Sequence, residues 1–497
     1  MEKEVLEQFK RECLSVLSAY DLHQLRAYAR NVGVKEPTKK TLGPLLESII
    51  GVLAGEIPPV ERSTRGAPVK SDFFDPKIPV MIENVRIRAN AGFSKPQDTV
   101  VSKRDIVKEI ADFQASNKNR IVFNSPNISN ELSKRGGQLT TFDGVSYLLP
   151  LNCRDNGEKV VVPIEFIRDH GLKEGDVLDC LVEKGKNVFV AVKLLSVNGC
   201  ALDKYRRLGD FEEMSAAYPT QPIRFYKTGC ENSVTSKYVD WLLAIGKGQR
   251  CRILSAPKAG KTELIYELVK SVSTATPELS ICVLLIEQSP ETISRFRKII
   301  KEDCLVYSTY DDTPERQVFT ADFVLKRAKR MAESGKDVLL FVDSFNALAR
   351  AYNDTSASSG GKLLACGLES KTVQYIKKFF GSARNLEKGG SITVLGAVSC
   401  DSGIPADDYI ATELSTLANA EIVLSESLVM QRTYPAINLS RSIMWNGVEK
   451  FENADKLRAA VLEKYLTKVG EKELRNTLEQ CSDYDNFAES IYKQLQS

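Results

Sequence analysis

Residues 254–262 read Leu254-Ser255-Ala256-Pro257-Lys258-Ala259-Gly260-Lys261-Thr262. The apolar run Cys251-Arg252-Ile253-Leu254 leads into this stretch, and a helical-looking segment, Glu263–Ser273, follows it. Strand, small-residue loop, Gly-Lys-Thr and helix make the layout of a phosphate-binding P-loop. The loop Ala256-Pro257-Lys258-Ala259-Gly260 and the helix start turn backbone N–H groups toward phosphates. The ammonium of Lys261 reaches the β- and γ-phosphates, and the hydroxyl of Thr262 is a ligand for Mg²⁺. Lys258 adds a second cation. The first glycine of the usual pattern is replaced by Ser255.

Around the loop the chain reads as α/β. Apolar strand candidates at Arg252–Ser255, Ile281–Ile286, Leu305–Ser308, Val338–Val342 and Ile392–Val398 alternate with helices. That alternation predicts a parallel sheet with helices on both faces. The run Asp337-Val338-Leu339-Leu340-Phe341-Val342-Asp343 ends on a carboxylate. Downstream of a P-loop this is the Walker B pattern, in which Asp343 holds Mg²⁺ or its water shell.

The totals set the frame. A chain of 497 residues predicts about three domains. Hydrophobic content of 43% and charged content of 27% describe a globular protein. A net charge of +3 gives no global pull on nucleic acid, so any basic groove must be local. No apolar run reaches the roughly 18 residues of a membrane span, and Met1-Glu2-Lys3-Glu4 is not a signal peptide. The expectation is a cytoplasmic protein with no membrane partner. The eleven cysteines are scattered singly, and His23 and His170 lie far apart. This pattern reads as small buried hydrophobes in a reducing compartment rather than zinc or disulfides.

Residues 1–56 read as a helical module. Leu6, Phe9, Leu14 and Leu17, then Leu22, Leu25 and Ala29, then Leu45, Leu46, Ile49 and Ile50 fall on helical spacing, broken by Val32–Pro37. Lys35, Lys39 and Lys40 near the break read as a nucleic-acid contact or a solvated charge run. Residues 57–135 read as a proline-interrupted linker and irregular segment with one helix, Arg104–Gln114. Within 136–202, strand candidates Gln138–Phe142, Ser146–Leu151, Val160–Pro163, Val177–Lys184 and Val188–Val197 are separated by turn signals such as Asp143-Gly144 and Asp155-Asn156-Gly157. Five short strands predict an OB-type barrel, a common platform for single-stranded nucleic acid. The aromatic candidates are Phe142, Tyr147 and Phe166, for binding or for packing. Residues 218–497 form the P-loop domain.

The P-loop domain resembles the bacterial transcription termination factor Rho family. The resemblance runs in register over about 218–440. It is carried by Ile245–Arg250, Ala256–Thr262, Val283–Ile286, Ala328–Arg330, Asp343-Ser344, Leu348–Asn353, Phe379–Asn385, Gly389–Ser391 and Arg432 through Ile437. It implies a multidomain fold: a small N-terminal helical module, an OB-type five-stranded β-barrel and an α/β P-loop NTPase (RecA-like) C-terminal domain. It implies ATP and Mg²⁺ as cofactors and a hexameric ring that translocates on RNA. By position, Lys258, Lys261 and Thr262 hold phosphates and metal, and Tyr434 stacks on adenine. Arg432 lies at the subunit interface. Ser358–Lys362, with Ser359, Gly360 and Lys362, matches the RNA-gripping pore loop, and Asp401–Asp408 matches a second pore loop. The tail after about Asn446 matches weakly.

The departures from the Rho pattern fall on the reacting groups. Where Rho reads Asp-Glu-Arg-Pro, this chain reads Glu287-Gln288-Ser289-Pro290. Gln288 stands at the water-polarising glutamate, and an amide orients water but cannot accept its proton. Trp445 stands at the arginine finger, with Arg441 nearby. Pro405 replaces a pore-loop lysine. Val145, Tyr147 and Val161 replace three barrel aromatics. The resulting expectation is an ATP-binding, RNA-binding ring protein with slow or absent hydrolysis, acting on the RNA polymerase transcription complex. It would form a homohexamer or a mixed ring with another Rho. Two alternatives stand beside it. One is an active RNA-dependent ATPase and helicase using Glu287 as base and Arg384 or Arg432 as finger; the other is a nucleotide-dependent scaffold without catalysis.

Overall fold

The computed structural model describes residues 9–60, 132–154, 159–184, 188–228, 234–356, 363–444 and 468–496, apart from isolated positions within them, together with Ile78 and Ile82. The chain divides into two compact units, Met1–Ser102 and Lys103–Ser497.

In the first unit Phe9, Cys13 and Leu17 are buried, a spacing that puts all three on one helical face. Leu14, expected on that face, is exposed, and Cys13 takes the inward place. Helix α1 (Leu22–Val32) buries Leu25, Tyr28 and Ala29. Helix α2 (Leu42–Leu53) buries Leu45, Leu46, Ile49 and Ile50. Between them Gly33 (φ 86°) and Glu36 (φ 49°) turn the chain, and a 3₁₀ turn at Pro37–Lys39 completes the break. Lys39 pairs with Glu36 at 2.9 Å, and Lys40 Nζ donates to Ser48 Oγ at 2.6 Å. Two of the three lysines near the break therefore have local partners. The helix expected at Arg104–Gln114 lies outside the described residues.

The second unit begins with a barrel: β1 (Ser133–Phe142), β2 (Val145–Leu149), β3 (Val160–Val162), helix α3 (Ile164–Asp169), β4 (Val177–Lys184), β5 (Phe189–Val197) and the short β6 (Cys200–Ala201). The strand order is β3-β2-β1-β4-β5-β6, and a parallel β3–β5 pairing closes the barrel. Alternate residues of β4, Leu178, Cys180 and Val182, fill the interior. Phe166 was expected as a strand aromatic, but it sits on α3. Pro163 ends β3 because it has no N–H for the ladder. The Phe166 ring then packs on the barrel core and meets His170 edge-on.

The α/β part follows: β7 (Ala216–Ala217), α4 (Val234–Lys237), β8 (Arg250–Ser255), α5 (Lys261–Ala275), β9 (Ser280–Gln288), α6 (Pro290–Phe296), β10 (Leu305–Thr309), α7 (Pro314–Glu333), β11 (Asp337–Asp343), α8 (Phe345–Ser356), α9 (Ser370–Gly381), β12 (Arg384–Leu386), β13 (Ser391–Ser399), α10 (Pro405–Ser415), β14 (Ala420–Val423), α11 (Glu426–Met430), β15 (Ile443–Met444), α12 (Glu471–Gln480) and α13 (Tyr484–Gln496). The main path of the sheet is β10-β9-β11-β13-β8-β14-β15, with β12 and β7 on a side branch. The strands from β10 to β14 on this path pair in parallel. Both faces are buried, so β11 is apolar from Val338 to Val342: Leu339 and Phe341 pack into one core, Val338, Leu340 and Val342 into the other. Leu474, Leu478, Phe487 and Ile491 of α12 and α13 join the first of these cores.

The barrel rests on α7. Gln138 Nε2 donates to Phe323 O at 2.7 Å. Arg207 bridges Asp176 of the barrel at 2.6 Å and Glu333 of α7 at 2.5 Å, both carboxylates being fully buried.

Candidate nucleotide site

The site lies where β8, β11 and β13 end, at the carboxyl edge of the sheet where ligands of open α/β folds sit. Ser255, the last residue of β8, is in register with Ser399 of β13. The loop then makes two left-handed turns, at Lys258 (φ 63°) and Gly260 (φ 95°). Glycine adopts that conformation freely, whereas in a lysine it costs roughly 1–2 kcal/mol, a strain the surrounding loop must offset. Alternating backbone conformations of this kind turn successive N–H groups to one side, a concavity suited to an anion.

Lys261, first residue of α5, folds back on the loop. Its Nζ donates to Ser255 Oγ at 3.0 Å, to Ala256 O at 3.2 Å and to Ser255 O at 3.3 Å. Burial lowers its pKa, against the opposing pull of Asp343, Cys400 and Asp407. Thr262 Oγ1 donates to Asp343 Oδ2 at 2.5 Å. Asp343 is 3% exposed. Burial raises its pKa, opposed by the Thr262 hydrogen bond and by Lys261. An ammonium and a carboxylate are thus both held under a desolvation penalty at adjacent positions. Anionic phosphate at Lys261 and a hard cation at the Thr262 hydroxyl and Asp343 carboxylate would relieve both. The oxygen donor set fits Mg²⁺, which takes one or two protein groups and completes its shell with phosphate and water.

Beside the loop is a cavity of about 370 Å³, lined among others by Val234, Thr235, Ala259, Leu264, Tyr434 and Pro435. Val234 of α4 and Leu264 of α5 give it apolar surface, Glu263 and Glu267 of α5 also line it, and its aromatic ring, Tyr434, is 56% exposed. A ring presented this way suits stacking on a planar base.

Gln288 ends β9, three residues beyond Leu285, which is in register with Asp343. It therefore lies on the loop side of the sheet. Its neighbour Glu287 has φ 58° and is bound to Arg350 at 3.0 Å, and Arg350 also reaches Asp407 at 3.3 Å. Arg432 is exposed with φ 55°, and its N–H donates to Val429 O at 2.9 Å. Arg384, the other candidate finger, is in register with Ile392 at the opposite end of β13 from Ser399 and packs over the Phe211 ring at 4.6 Å. Pro405 is the first residue of α10, and Asp401 N donates to Asp408 Oδ1 across that turn at 2.8 Å. Ser359, Gly360 and Lys362 of the pore-loop candidate, and Trp445, lie outside the described residues.

On the barrel, Phe142 is 43% exposed and sits 6.4 Å from the Tyr147 ring and 5.4 Å from the Phe319 ring of α7. Val145 and Val161 are buried. Sequence reasoning did not assign Ser255 as a partner of Lys261, Arg350 as the partner of Glu287, or Val234 and Thr235 as cavity wall. No local pattern marks them, because each acquires its role only through a contact distant in sequence.

The nucleotide-binding domain of the ATP synthase alpha/beta family matches residues 235–444. Transcription termination factor Rho of Chromobacterium violaceum is 34% identical over 289 residues, covering 57% of this chain and 69% of that protein. The chain belongs to the Rho family. Rho of Neisseria gonorrhoeae is 33% identical over 331 residues, 65% of this chain and 78% of the relative. Some other Rho proteins are spanned over only 52–55% of their length. A solved ATPase of a type III secretion system of pathogenic bacteria is 22% identical, with a TM-score of 0.46, over 58% of this chain and 90% of that one. As a Rho-family chain it carries a Rho-type nucleotide-binding domain, and the P-loop, Asp343 and Tyr434 all fall within the matched region. Among the described residues no group of three or more His, Cys, Asp or Glu side chains could hold a metal, and no helix is long and apolar enough to cross a membrane.

Proposed function

We propose that this Rho-family chain binds ATP with Mg²⁺, assembles as a hexameric ring with itself or with another Rho, and engages RNA and the transcription complex with slow or absent hydrolysis. Lys258, Lys261 and the loop N–H groups hold the phosphates, Thr262 and Asp343 hold the metal, and Tyr434 receives the base. The bound metal supplies charge neutralisation at the phosphates.

The observation that carries the reading is the 2.5 Å Thr262–Asp343 pair, together with an amide, Gln288, at the sequence position where the Rho pattern has a carboxylate. Binding groups are kept and the proton acceptor is not. Glu287, the nearest substitute base, is tied to Arg350, which supports slow turnover over the reading that makes Glu287 catalytic. A general base is worth roughly 10²–10⁴ in rate.

The test is phosphate release by the purified full chain with and without single-stranded RNA, beside Lys261→Ala. Tight ATP binding, lost in Lys261→Ala, with little RNA-stimulated turnover is expected. Brisk RNA-stimulated turnover overturns the slow-hydrolysis reading.

A further inference from the structure

Helix α12 lies beyond the segment that resembles Rho closely, yet it is fixed to both walls of the Tyr434 cavity. On one side, Arg475 is buried, and its Nη2 donates to Pro435 O at 2.7 Å. Pro435 follows Tyr434 directly and lines the cavity with it. The Arg475 guanidinium also sits over the ring of Tyr238, 5.3 Å from its centroid. On the other side, Lys237 of α4 closes the end of α12, donating to Cys481 O at 2.7 Å and Leu478 O at 3.3 Å. Helix α4 carries Val234 and Thr235, the facing wall. Leu474 and Leu478 anchor α12 in the core beneath.

We propose that Arg475 is a positioning residue for nucleotide binding: it fixes the Pro435 carbonyl and so holds the Tyr434 ring at the angle and depth at which a base stacks. This rests on the nucleotide reading of the cavity. A buried guanidinium pinned to one carbonyl is a charge-assisted hydrogen bond, stronger and more directional than a neutral one. Tyr434 is largely exposed, so its orientation depends on its backbone, and Arg475 holds that backbone one residue away. Arg475 does not touch the phosphate loop in sequence or by hydrogen bond. Its effect is therefore confined to the base and spares the triphosphate.

The experiment is calorimetric titration of the full chain with MgATP and, separately, with inorganic tripolyphosphate and Mg²⁺. Arg475→Met is expected to weaken ATP by between about 5- and 160-fold, the worth of one stacked base, and to leave tripolyphosphate affinity unchanged. Tyr434→Ala should show the same split. The double variant Arg475→Met/Tyr434→Ala should lose no more than Tyr434→Ala alone, because both act through one ring. Equal loss for both ligands, unchanged ATP affinity, or additive losses overturns the proposal. If Arg475→Met does not fold, Arg475→Lys keeps a donor and should give a smaller loss confined to ATP; loss of tripolyphosphate binding in that variant overturns the proposal too. Failure of the nucleotide reading looks different: the wild-type chain binds neither ligand, or Lys261→Ala changes neither.

Discussion

Thr262 and Asp343 stand 81 residues apart in sequence and share a 2.5 Å hydrogen bond. One comes from the first turn of α5, the other from the end of β11, so the bond exists only because β8 and β11 end at the same edge of the sheet. Asp343 is buried there at a cost, and its folded-state pKa is raised by desolvation. A carboxyl whose pKa is higher folded than unfolded binds more protons in the native state. Its charge therefore lowers stability as pH rises from the unfolded value near 3.9 through the folded one. Above that window the penalty is complete. Asp343→Asn is expected to be as stable as wild type or more so at pH 7, by about 0.5–2 kcal/mol. The advantage should fade as pH falls toward 4, while Mg²⁺-dependent ATP binding is lost. Urea unfolding at several pH values and an ATP titration check both halves. A variant markedly less stable at neutral pH would refute the desolvation argument.

Gln288 and Glu287 are adjacent but placed for different work. Glu287 points its carboxylate at Arg350, and Arg350 extends the pair to Asp407 at the start of α10. Gln288 ends β9 on the loop side. Gln288→Glu is expected to raise ATP turnover, by up to about 10²-fold given that a base supplies roughly 10²–10⁴ and the finger position holds no matching arginine. Glu287→Gln is expected to leave the slow turnover unchanged. A steady-state phosphate-release assay with RNA present decides. Abolition of turnover by Glu287→Gln would make Glu287 the base.

Local patterns were legible in the sequence, and distant pairings were not. The phosphate loop could be read because strand, loop and helix start are contiguous from Arg250 to Thr262. The barrel strands could be read because Gly and Asx turns bound them; β4 runs over Val177–Lys184 as expected. Strand β14 was missed because Ala420-Glu421-Ile422-Val423 is short and carries a carboxylate. The structure satisfies that carboxylate with Arg252 of β8 at 2.7 Å, a partner 169 residues away. Phe166, open in the sequence between binding and packing, packs on the barrel core from α3, because the expected strand ends at Pro163 and a helix starts there. The helical periodicity of α12 is visible in Leu474 and Leu478, but nothing in it says that Arg475 ends on Pro435.

Arg207 binds Asp176 and Glu333 where barrel meets α7, and both carboxylates are fully buried. Glu333 also accepts from the Phe211 N–H at 2.9 Å and pairs with Arg330 at 2.9 Å. Removing Arg207 leaves the Asp176 carboxylate buried without a charged partner, while Glu333 keeps Arg330. Arg207→Ala is therefore expected to destabilise by about 3–5 kcal/mol, read as a lowered denaturant midpoint. Adding Asp176→Asn should recover part of the loss, since the charge left without a cation is gone. An Arg207→Ala midpoint close to wild type would show that the joint contributes little.

The barrel keeps a single aromatic pair at the positions expected to meet bases, and its two members have different neighbours. Phe142 contacts Phe319 of α7, which in turn lies 6.1 Å from Phe323. Phe142 thus belongs partly to the joint with the α/β part, and Phe142→Ala should lower stability. Tyr147 lies on β2, opposite Thr140 of β1 and Val161 of β3, the middle of the sheet face. Tyr147→Ala is expected to weaken binding of single-stranded RNA by about 1–3 kcal/mol, the contribution of one stacked base. No phosphate contact is removed, so the slope of log affinity against log salt should stay the same while the whole line shifts down. Filter binding across a salt series measures both quantities. An unchanged line would take Tyr147 out of RNA recognition, and a changed slope would mean that the substitution disturbs a basic surface rather than a stacking one.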